Sequence, residues 1–158
     1  MTRKRIGVAV IGFGWMGQAH TRSYLRIPTL FQERTYDPQL IIISDNVQAR
    51  VDEAVESFGF REGTTDWMTA VNHPDVDVVC VCAPNMLHEP VAVAAAEAGK
   101  HVFCEKPVGG TPEQTVRIEA ASRKAGVITG VGYNYRWAPL VQYAKQLIAD
   151  GKLGEITN

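Results

Sequence analysis

The sequence predicts an α/β fold in which helices cover both faces of a doubly wound, mainly parallel sheet. Strand-like apolar runs alternate with segments of helical character along the chain, and this alternation is typical of parallel strands joined by helices. The runs are also continuously apolar, as expected of strands buried on both faces. Five such runs stand out: RIGVAVIG, QLIIIS, VDVVCVCAP, KHVFCEK and GVITGVGYN.

The segments between these runs predict six helices, several with recognisable ends. Gly99 and Gly126 each follow a helical segment, and glycine is common just after a helix. Thr111 before Pro112 is typical of an N-cap followed by proline at the first helical position. Residues 27–39 form a long connection with no assigned role. The predicted helices span residues 15–26, 47–58, 66–72, 86–99, 112–125 and 139–150.

Composition limits the classes of protein to which the chain can belong. Its 158 residues, 46% of them hydrophobic, fit one globular domain. The 16 Lys and Arg balance 17 Asp and Glu without a run of like charges, so we expect neither a nucleic-acid nor a membrane partner. The N-terminal MTRKRIGVAVIG resembles a first strand more than a signal peptide. We therefore expect a soluble protein with a small-molecule partner.

The three cysteines, Cys80, Cys82 and Cys104, all lie in apolar runs, where a reduced thiol packs as a small hydrophobic side chain. This favours a reducing, cytoplasmic setting. A zinc site would combine them with His101, but a Cys-x-Cys spacing inside a strand lacks the turn that zinc spacings usually supply. We therefore expect core thiols and no bound metal.

A glycine motif, G-x-G-x-x-G, directly follows the first predicted strand and opens a helix. In this motif the first glycine permits a tight turn, the second lets the backbone approach a pyrophosphate, and the third lets helix and strand pack closely. The phosphates would bind the free N–H groups of the helix N-terminus. A purely structural glycine turn is the alternative. The predicted dinucleotide-contacting residues here are Gly12, Phe13, Gly14, Trp15, Met16 and Gly17.

Asp45 ends the second apolar run, where dinucleotide-binding folds place a group for the adenosine ribose. Its carboxylate can accept both ribose hydroxyls and would repel a 2′-phosphate. No arginine follows immediately, since Arg50 is expected on the next helix, so NAD is favoured over NADP. Asn46 is included in this predicted site. Asp45 could instead, or in addition, cap the next helix.

The run VDVVCVCAP leads into Asn85 and His88. Pro84 stops the strand, and Asn85 is expected to cap the helix that carries His88. Because ligands bind beyond the carboxyl ends of parallel strands, Ala83 and these three residues are placed on the cofactor side. A surface or packing role for His88 is the alternative.

The run KHVFCEK brings Glu105 and Lys106 to the same sheet edge. A lysine ammonium there could hydrogen-bond a substrate oxygen and stabilise its negative charge during hydride transfer. Pro107 restricts Lys106 to an extended backbone. Without further context, a solvated Glu and Lys in a loop is the simpler interpretation.

Four segments, GFGWMG, CAPNMLH, EKPVGGTPEQ and GYNYRWAP, together resemble the N-terminal half of the Gfo/Idh/MocA family, which includes glucose-fructose oxidoreductase and inositol dehydrogenase. The similarity extends over essentially the whole chain. It implies a Rossmann-type fold and an NAD(P)-dependent oxidoreductase that transfers a hydride between the nicotinamide and a secondary alcohol of a sugar, polyol or derivative.

The resemblance also implies roles for individual residues. Lys106 matches the lysine of the family's Glu-Lys-Pro motif, which contacts the reacting oxygen, and Glu105 lies on the nicotinamide side. Both residues are also predicted to contact the cofactor. The peptide bond before Pro107 is expected to be cis. Asn134 and Arg136 match a segment that lines the active-site cleft, so both are predicted to bind substrate and Asn134 also the cofactor. The other matching cofactor positions are Gly12, Gly14, Gly17, Asp45, Asn85 and His88.

Family members carry a second, α+β domain that supplies substrate contacts, the acid/base group and the oligomer interface. We expect residues 1–158 to be the dinucleotide-binding domain alone, with about 138–158 as the linker helix. The chain should then bind cofactor without turnover, and the full-length form should be a homo-oligomer. The alternatives are an NAD-binding sensor or interaction module, and a methyltransferase that uses S-adenosylmethionine.

Overall fold

Six strands form one sheet in the computed structural model, which describes residues 3–157. They are β1 (Lys4–Ile11), β2 (Tyr36–Ser44), β3 (Glu62–Thr64), β4 (Val78–Val81), β5 (His101–Cys104) and β6 (Thr129–Val131). All neighbouring pairs are parallel, in the order β3-β2-β1-β4-β5-β6. This strand order is that of a doubly wound sheet, so the predicted fold class is confirmed. The edge strand β3 was not predicted, because its three residues contain no apolar run.

The described residues also form six α-helices and two 3₁₀ turns, of which the last helix and the last turn follow β6. The helices are α1 (Trp15–Leu30), α2 (Gln48–Phe58), α3 (Trp67–Val71), α4 (His88–Glu97), α5 (Pro112–Ala125) and α6 (Pro139–Ala149). The 3₁₀ turns span Asn85–Leu87 and Asn134–Trp137. Among the described residues, no helix combines the length and apolarity needed to cross a bilayer.

Helix α1 is four residues longer than predicted and includes Pro28. The Arg34 guanidinium stabilises its end, because Nη1 donates to the carbonyl oxygens of Pro28 and Phe31, each at 3.0 Å. Since β2 begins at Tyr36, most of residues 27–39, which had no assigned role, belong to α1 or β2. The prediction failed because it ended the helix just before Pro28.

Side chains of β1 point alternately into two separate apolar clusters. Val8 and Val10 pack with residues of α2, whereas Ala9 and Ile11 pack with residues of α3, α4 and α5. Alternation of side chains between the two faces is a property of any strand, and here both faces are covered. This explains why the strand sequences are continuously apolar.

The N-terminus of α5 fixes the end of the loop that follows β5. The Thr111 hydroxyl accepts from Gln114 N, and the Gln114 side chain accepts from Thr111 N, which together form a capping box. Gln114 Oε1 also accepts from Gly110 N at 2.6 Å. The predicted Thr111 cap is confirmed, as are Gly99 and Gly126 at helix ends, where both have positive φ.

Replacing Thr111 with alanine is expected to lower the free energy of unfolding by about 1 kcal/mol, since it removes the N-cap acceptor. Urea unfolding followed by circular dichroism measures this change. Thr115→Ala is the matched control, because Thr115 is exposed inside the same helix and its hydroxyl donates only to the Thr111 carbonyl. Equal effects of the two substitutions would contradict the capping assignment.

Candidate cofactor and active site

The three glycines of the motif between β1 and the first turn of α1 differ in how strictly the fold requires glycine. Gly12 has φ +91°, and a Cβ there would lie 2.7 Å from Ala83 N. A Cβ at Gly17 would overlap the carbonyl oxygen of Gly12. Gly14 has an ordinary φ of −71°, and a Cβ there would meet no atom within 4 Å. The fold therefore requires Gly12 and Gly17, whereas Gly14 keeps open a space outside the protein.

That space lies at the N-terminus of α1. Gly14 is the N-cap residue, it makes no side-chain cap, and the first turn contains no acidic residue. The first N–H groups of a helix have no partner within the helix, and they bind anions such as a pyrophosphate. Trp15 and Met16 supply this first turn, and the Trp15 side chain is 81% exposed. The loop geometry suits a dinucleotide as the sequence predicts.

Phe13 contributes to the loop through its backbone, because its ring is fully buried. The ring packs edge-on against Phe58, with centroids 5.0 Å apart, and against Phe60 at 6.1 Å. Its N–H donates to Asp45 Oδ2 at 2.7 Å. Only the backbone of Phe13 is therefore available to contact a cofactor, and the ring serves mainly to anchor the loop.

Asp45 holds the glycine loop and the turn before α2 together. Besides the bond from Phe13, its Oδ1 accepts from Val47 N at 2.9 Å. Helix α2 has no side-chain cap, so the alternative that Asp45 caps this helix is wrong. The two bonds use about half of the carboxylate's acceptor positions, which leaves room for ribose hydroxyls. Arg50 lies on α2, but its Nη1 reaches back to 3.6 Å from Asp45 Oδ1.

Asn85 and His88 join the loop after β4 to the loop after β5. The His88 ring is buried, with Nε2 at 2.9 Å from Ala83 O and Nδ1 at 2.8 Å from Pro107 O. Asn85 Nδ2 donates to the same Pro107 oxygen at 2.8 Å. The expectation that Asn85 caps the next helix is wrong, because this bond and a 3₁₀ turn replace the cap.

The surface alternative for His88 is also wrong, since the side chain is enclosed between the two loops. Its 2% exposure favours a role in positioning the loops over a direct cofactor contact, which stays a prediction. The contacts of Pro84 and Asn46 with a cofactor stay predictions as well.

Glu105 is buried beneath the end of β5. Its Oε1 lies 2.8 Å from His20 Nε2, and its Oε2 accepts from Lys106 N at 3.1 Å. A Cβ at Gly132 would lie 2.6 Å from the carboxylate, so only glycine leaves room for it. The peptide bond between Lys106 and Pro107 is cis, as expected. These contacts fix the backbone from which the exposed Lys106 side chain projects.

A cavity of about 560 Å³ lies beside Lys106 at the carboxyl ends of β5 and β6. Five of the predicted site residues line it, namely Trp15, Met16, Glu105, Lys106 and Asn134. The other lining residues were not predicted as site residues, and they include His20, Phe103, Tyr133 and Tyr135. Arg136 is not among its lining residues, and its substrate contact stays a prediction.

His20 is the most informative of the residues that sequence reasoning missed. It lies one turn beyond the glycine motif on α1, in a segment without a recognised motif. Its partner Glu105 is 85 residues further along the chain, and its ring packs edge-on against Phe103 at 5.1 Å. Only the packing of α1 onto the sheet brings these groups together.

A six-stranded parallel sheet of this order, with a glycine loop and an uncapped helix N-terminus after β1 and a lysine-lined cavity at the same edge, has the architecture of a dinucleotide-binding Rossmann domain. The comparison with protein families gives the particular group. The model of the Gfo/Idh/MocA family, described as an oxidoreductase family with an NAD-binding Rossmann fold, matches residues 6–133. The chain belongs to this family.

Individual relatives agree with this assignment. Levoglucosan dehydrogenase of Pseudarthrobacter phenanthrenivorans is 37% identical over 97% of this chain and 39% of its own length. Myo-inositol 2-dehydrogenase of Thermotoga maritima is 31% identical over 94% and 42%, respectively. The structure of a levoglucosan dehydrogenase complex with NADH and levoglucosan matches with a TM-score of 0.90 and 37% identity over 97% of this chain and 41% of that one. The chain thus spans about two fifths of these relatives.

Proposed function

We propose that this chain is the NAD-binding domain of a dehydrogenase that transfers a hydride between the nicotinamide and a secondary alcohol carbon of a sugar, a polyol or a derivative. One observation carries the proposal: the cavity beside Lys106 is continuous with the first turn of α1, through Trp15 and Met16. A dinucleotide whose pyrophosphate lies on that turn would extend its nicotinamide half toward Lys106. The cofactor supplies the hydride chemistry when it is bound.

Two relatives support the proposed substrate class. Levoglucosan and myo-inositol, named in two of them, both carry several secondary hydroxyl groups. An ammonium group suits such substrates, because it can donate to one hydroxyl oxygen and stabilise the negative charge that develops there. We assign this role to Lys106, and substrate contacts to Asn134 and Arg136.

Glu105 and His20 would act on the reaction through Lys106. Their mutual contact and the bond from Lys106 N to Glu105 hold the backbone that presents the ammonium group. Preorganisation of this kind is what makes electrostatic stabilisation effective. Asn85 and His88 would brace the same loop from the side of Pro107.

We further propose that α6 leads to a second domain, which supplies the proton-transfer group, most substrate contacts and the surface of a homo-oligomer. Helix α6 has no buried residues. Its apolar side chains are uncovered, with Leu140 81%, Tyr143 58% and Ile148 47% exposed, and exposed apolar groups in one segment commonly mark an interface. The segment from about residue 138 onward is the proposed linker.

The remaining proposals concern partners and location. The balanced charge, with 16 basic against 17 acidic residues, supports a small-molecule partner over nucleic acid. Three unpaired thiols, at Cys80, Cys82 and Cys104, support a reducing compartment such as the cytoplasm.

The chain is expected to bind NADH, to bind NADPH more weakly, and not to bind S-adenosylmethionine. Isothermal titration with each ligand measures the affinities. Asp45→Asn should weaken NADH binding and raise the relative affinity for NADPH, because it removes the charge that repels a 2′-phosphate. Asp52→Asn, the same chemical change at an exposed position of α2, is the matched control and should leave both affinities unchanged. Failure to bind either nicotinamide cofactor, or preferential binding of S-adenosylmethionine, would overturn the proposed function.

A further inference from the structure

A cluster of soft metal ligands lies between α1 and the sheet, behind the cavity. His20, Cys80 and Cys82 bring one ring nitrogen and two Sγ atoms within 4.8 Å of one another. The two Sγ atoms are 3.6 Å apart, since residues i and i+2 of an extended segment point to the same face. Sequence spacing alone does not reveal this cluster, because His20 comes from a helix 60 residues earlier in the chain than Cys80.

The spacing of these atoms suits a small thiophilic cation. With zinc–sulfur bonds of about 2.3 Å and zinc–nitrogen bonds of about 2.0–2.1 Å, the ligand atoms of a tetrahedral site lie roughly 3.4–3.8 Å apart. The two sulfur atoms already have this separation. The ring nitrogen would need to approach by at most about 1 Å, which a side-chain rotation supplies.

The surroundings also favour a cation. The Glu105 carboxylate lies 2.8 Å from His20 Nε2, and carboxylates commonly orient histidines that bind metals.

We propose that His20, Cys80 and Cys82 bind a thiophilic divalent cation of the zinc and cadmium class. The sequence predicts no bound metal, but that prediction was made for a site in which His101 is the histidine ligand. That residue lies at the opposite end of β5, where its Nδ1 accepts from Ile128 N at 3.1 Å. The proposed ion goes beyond the proposed function, and it would lie next to the cavity that His20 lines.

Titration of the reduced chain with Cd²⁺ tests the site through the ultraviolet charge-transfer absorption of cadmium–thiolate bonds. We expect one ion per chain, and an excess of Zn²⁺ should compete for the same site. Cys82→Ala should weaken Cd²⁺ binding at least about tenfold, because it removes one of three ligands. Cys104→Ala is the matched control, since Cys104 is also in the core but outside the cluster, and it should leave the affinity unchanged.

Equal Cd²⁺ binding by the wild-type chain and Cys82→Ala would overturn the proposal, as would an equal loss in Cys104→Ala. Cys82 is the informative position because it is only partly buried, so its substitution is less disruptive than that of Cys80. Circular dichroism of each variant verifies folding. NADH binding to the metal-free wild-type chain is measured separately. If this chain binds Cd²⁺ but not NADH, the proposed function is contradicted and the metal site is retained.

Discussion

In the complete dehydrogenase of which we propose this chain to be a part, replacing Lys106 with alanine is expected to lower kcat by about 10²–10³-fold, the usual effect of removing one group that stabilises a developing oxyanion. The affinity for NADH should change little, because the exposed lysine projects from the cavity edge and the proposed pyrophosphate site is at the N-terminus of α1. Steady-state kinetics and NADH titration measure the two quantities. Lys106→Arg keeps the charge and should retain part of the rate.

Lys124→Ala is the matched control, since Lys124 lies in the last turn of α5 and outside the cavity. It should leave kcat unchanged. Equal turnover of Lys106→Ala and the wild-type enzyme would remove Lys106 from the mechanism. In that case an NAD-binding sensor or interaction module would become the better account of the fold.

The second large effect is expected at Gly14. Gly14→Ala should lower NADH affinity about tenfold or more, equivalent to about 1.4 kcal/mol, because the new Cβ occupies the space where the pyrophosphate approaches the backbone. Stability should stay within about 1 kcal/mol of the wild type. Gly14 has an ordinary φ and no neighbour within 4 Å, so the smaller freedom of the unfolded chain offsets the weaker N-cap preference of alanine.

Gly17→Ala separates a binding effect from a folding effect. Its Cβ would overlap the Gly12 carbonyl oxygen, so we expect it to lower the free energy of unfolding by more than about 2 kcal/mol. Thermal unfolding and NADH titration of both variants distinguish the two cases. If Gly14→Ala bound NADH as tightly as the wild type, the loop would be a structural turn, the alternative that the sequence left open.

Predictions from the sequence were most reliable where the cause is local. Continuous apolar runs identified five of the six strands, and helix ends at Thr111, Gly99 and Gly126 follow from backbone geometry and capping. Errors arose where a side-chain contact from outside the predicted element decided how that element begins or ends. Arg34 donates to the free carbonyl oxygens at the end of α1, so the helix continues beyond Pro28. Pro107 O accepts from the Asn85 side chain, which otherwise could cap the next helix.

The sequence by itself determined the order of elements, the glycine motif and the presence of Asp45 and Lys106 at strand ends, because each depends on residues adjacent in the chain. Only the tertiary structure decided how these groups are held. His20 meets Glu105, Cys80 and Cys82, and His88 meets Pro107, across separations of up to 85 residues. The reason is physical: parallel strands joined by helical crossovers bring distant strand ends to one edge, and side-chain contacts at that edge depend on packing, which no local pattern records.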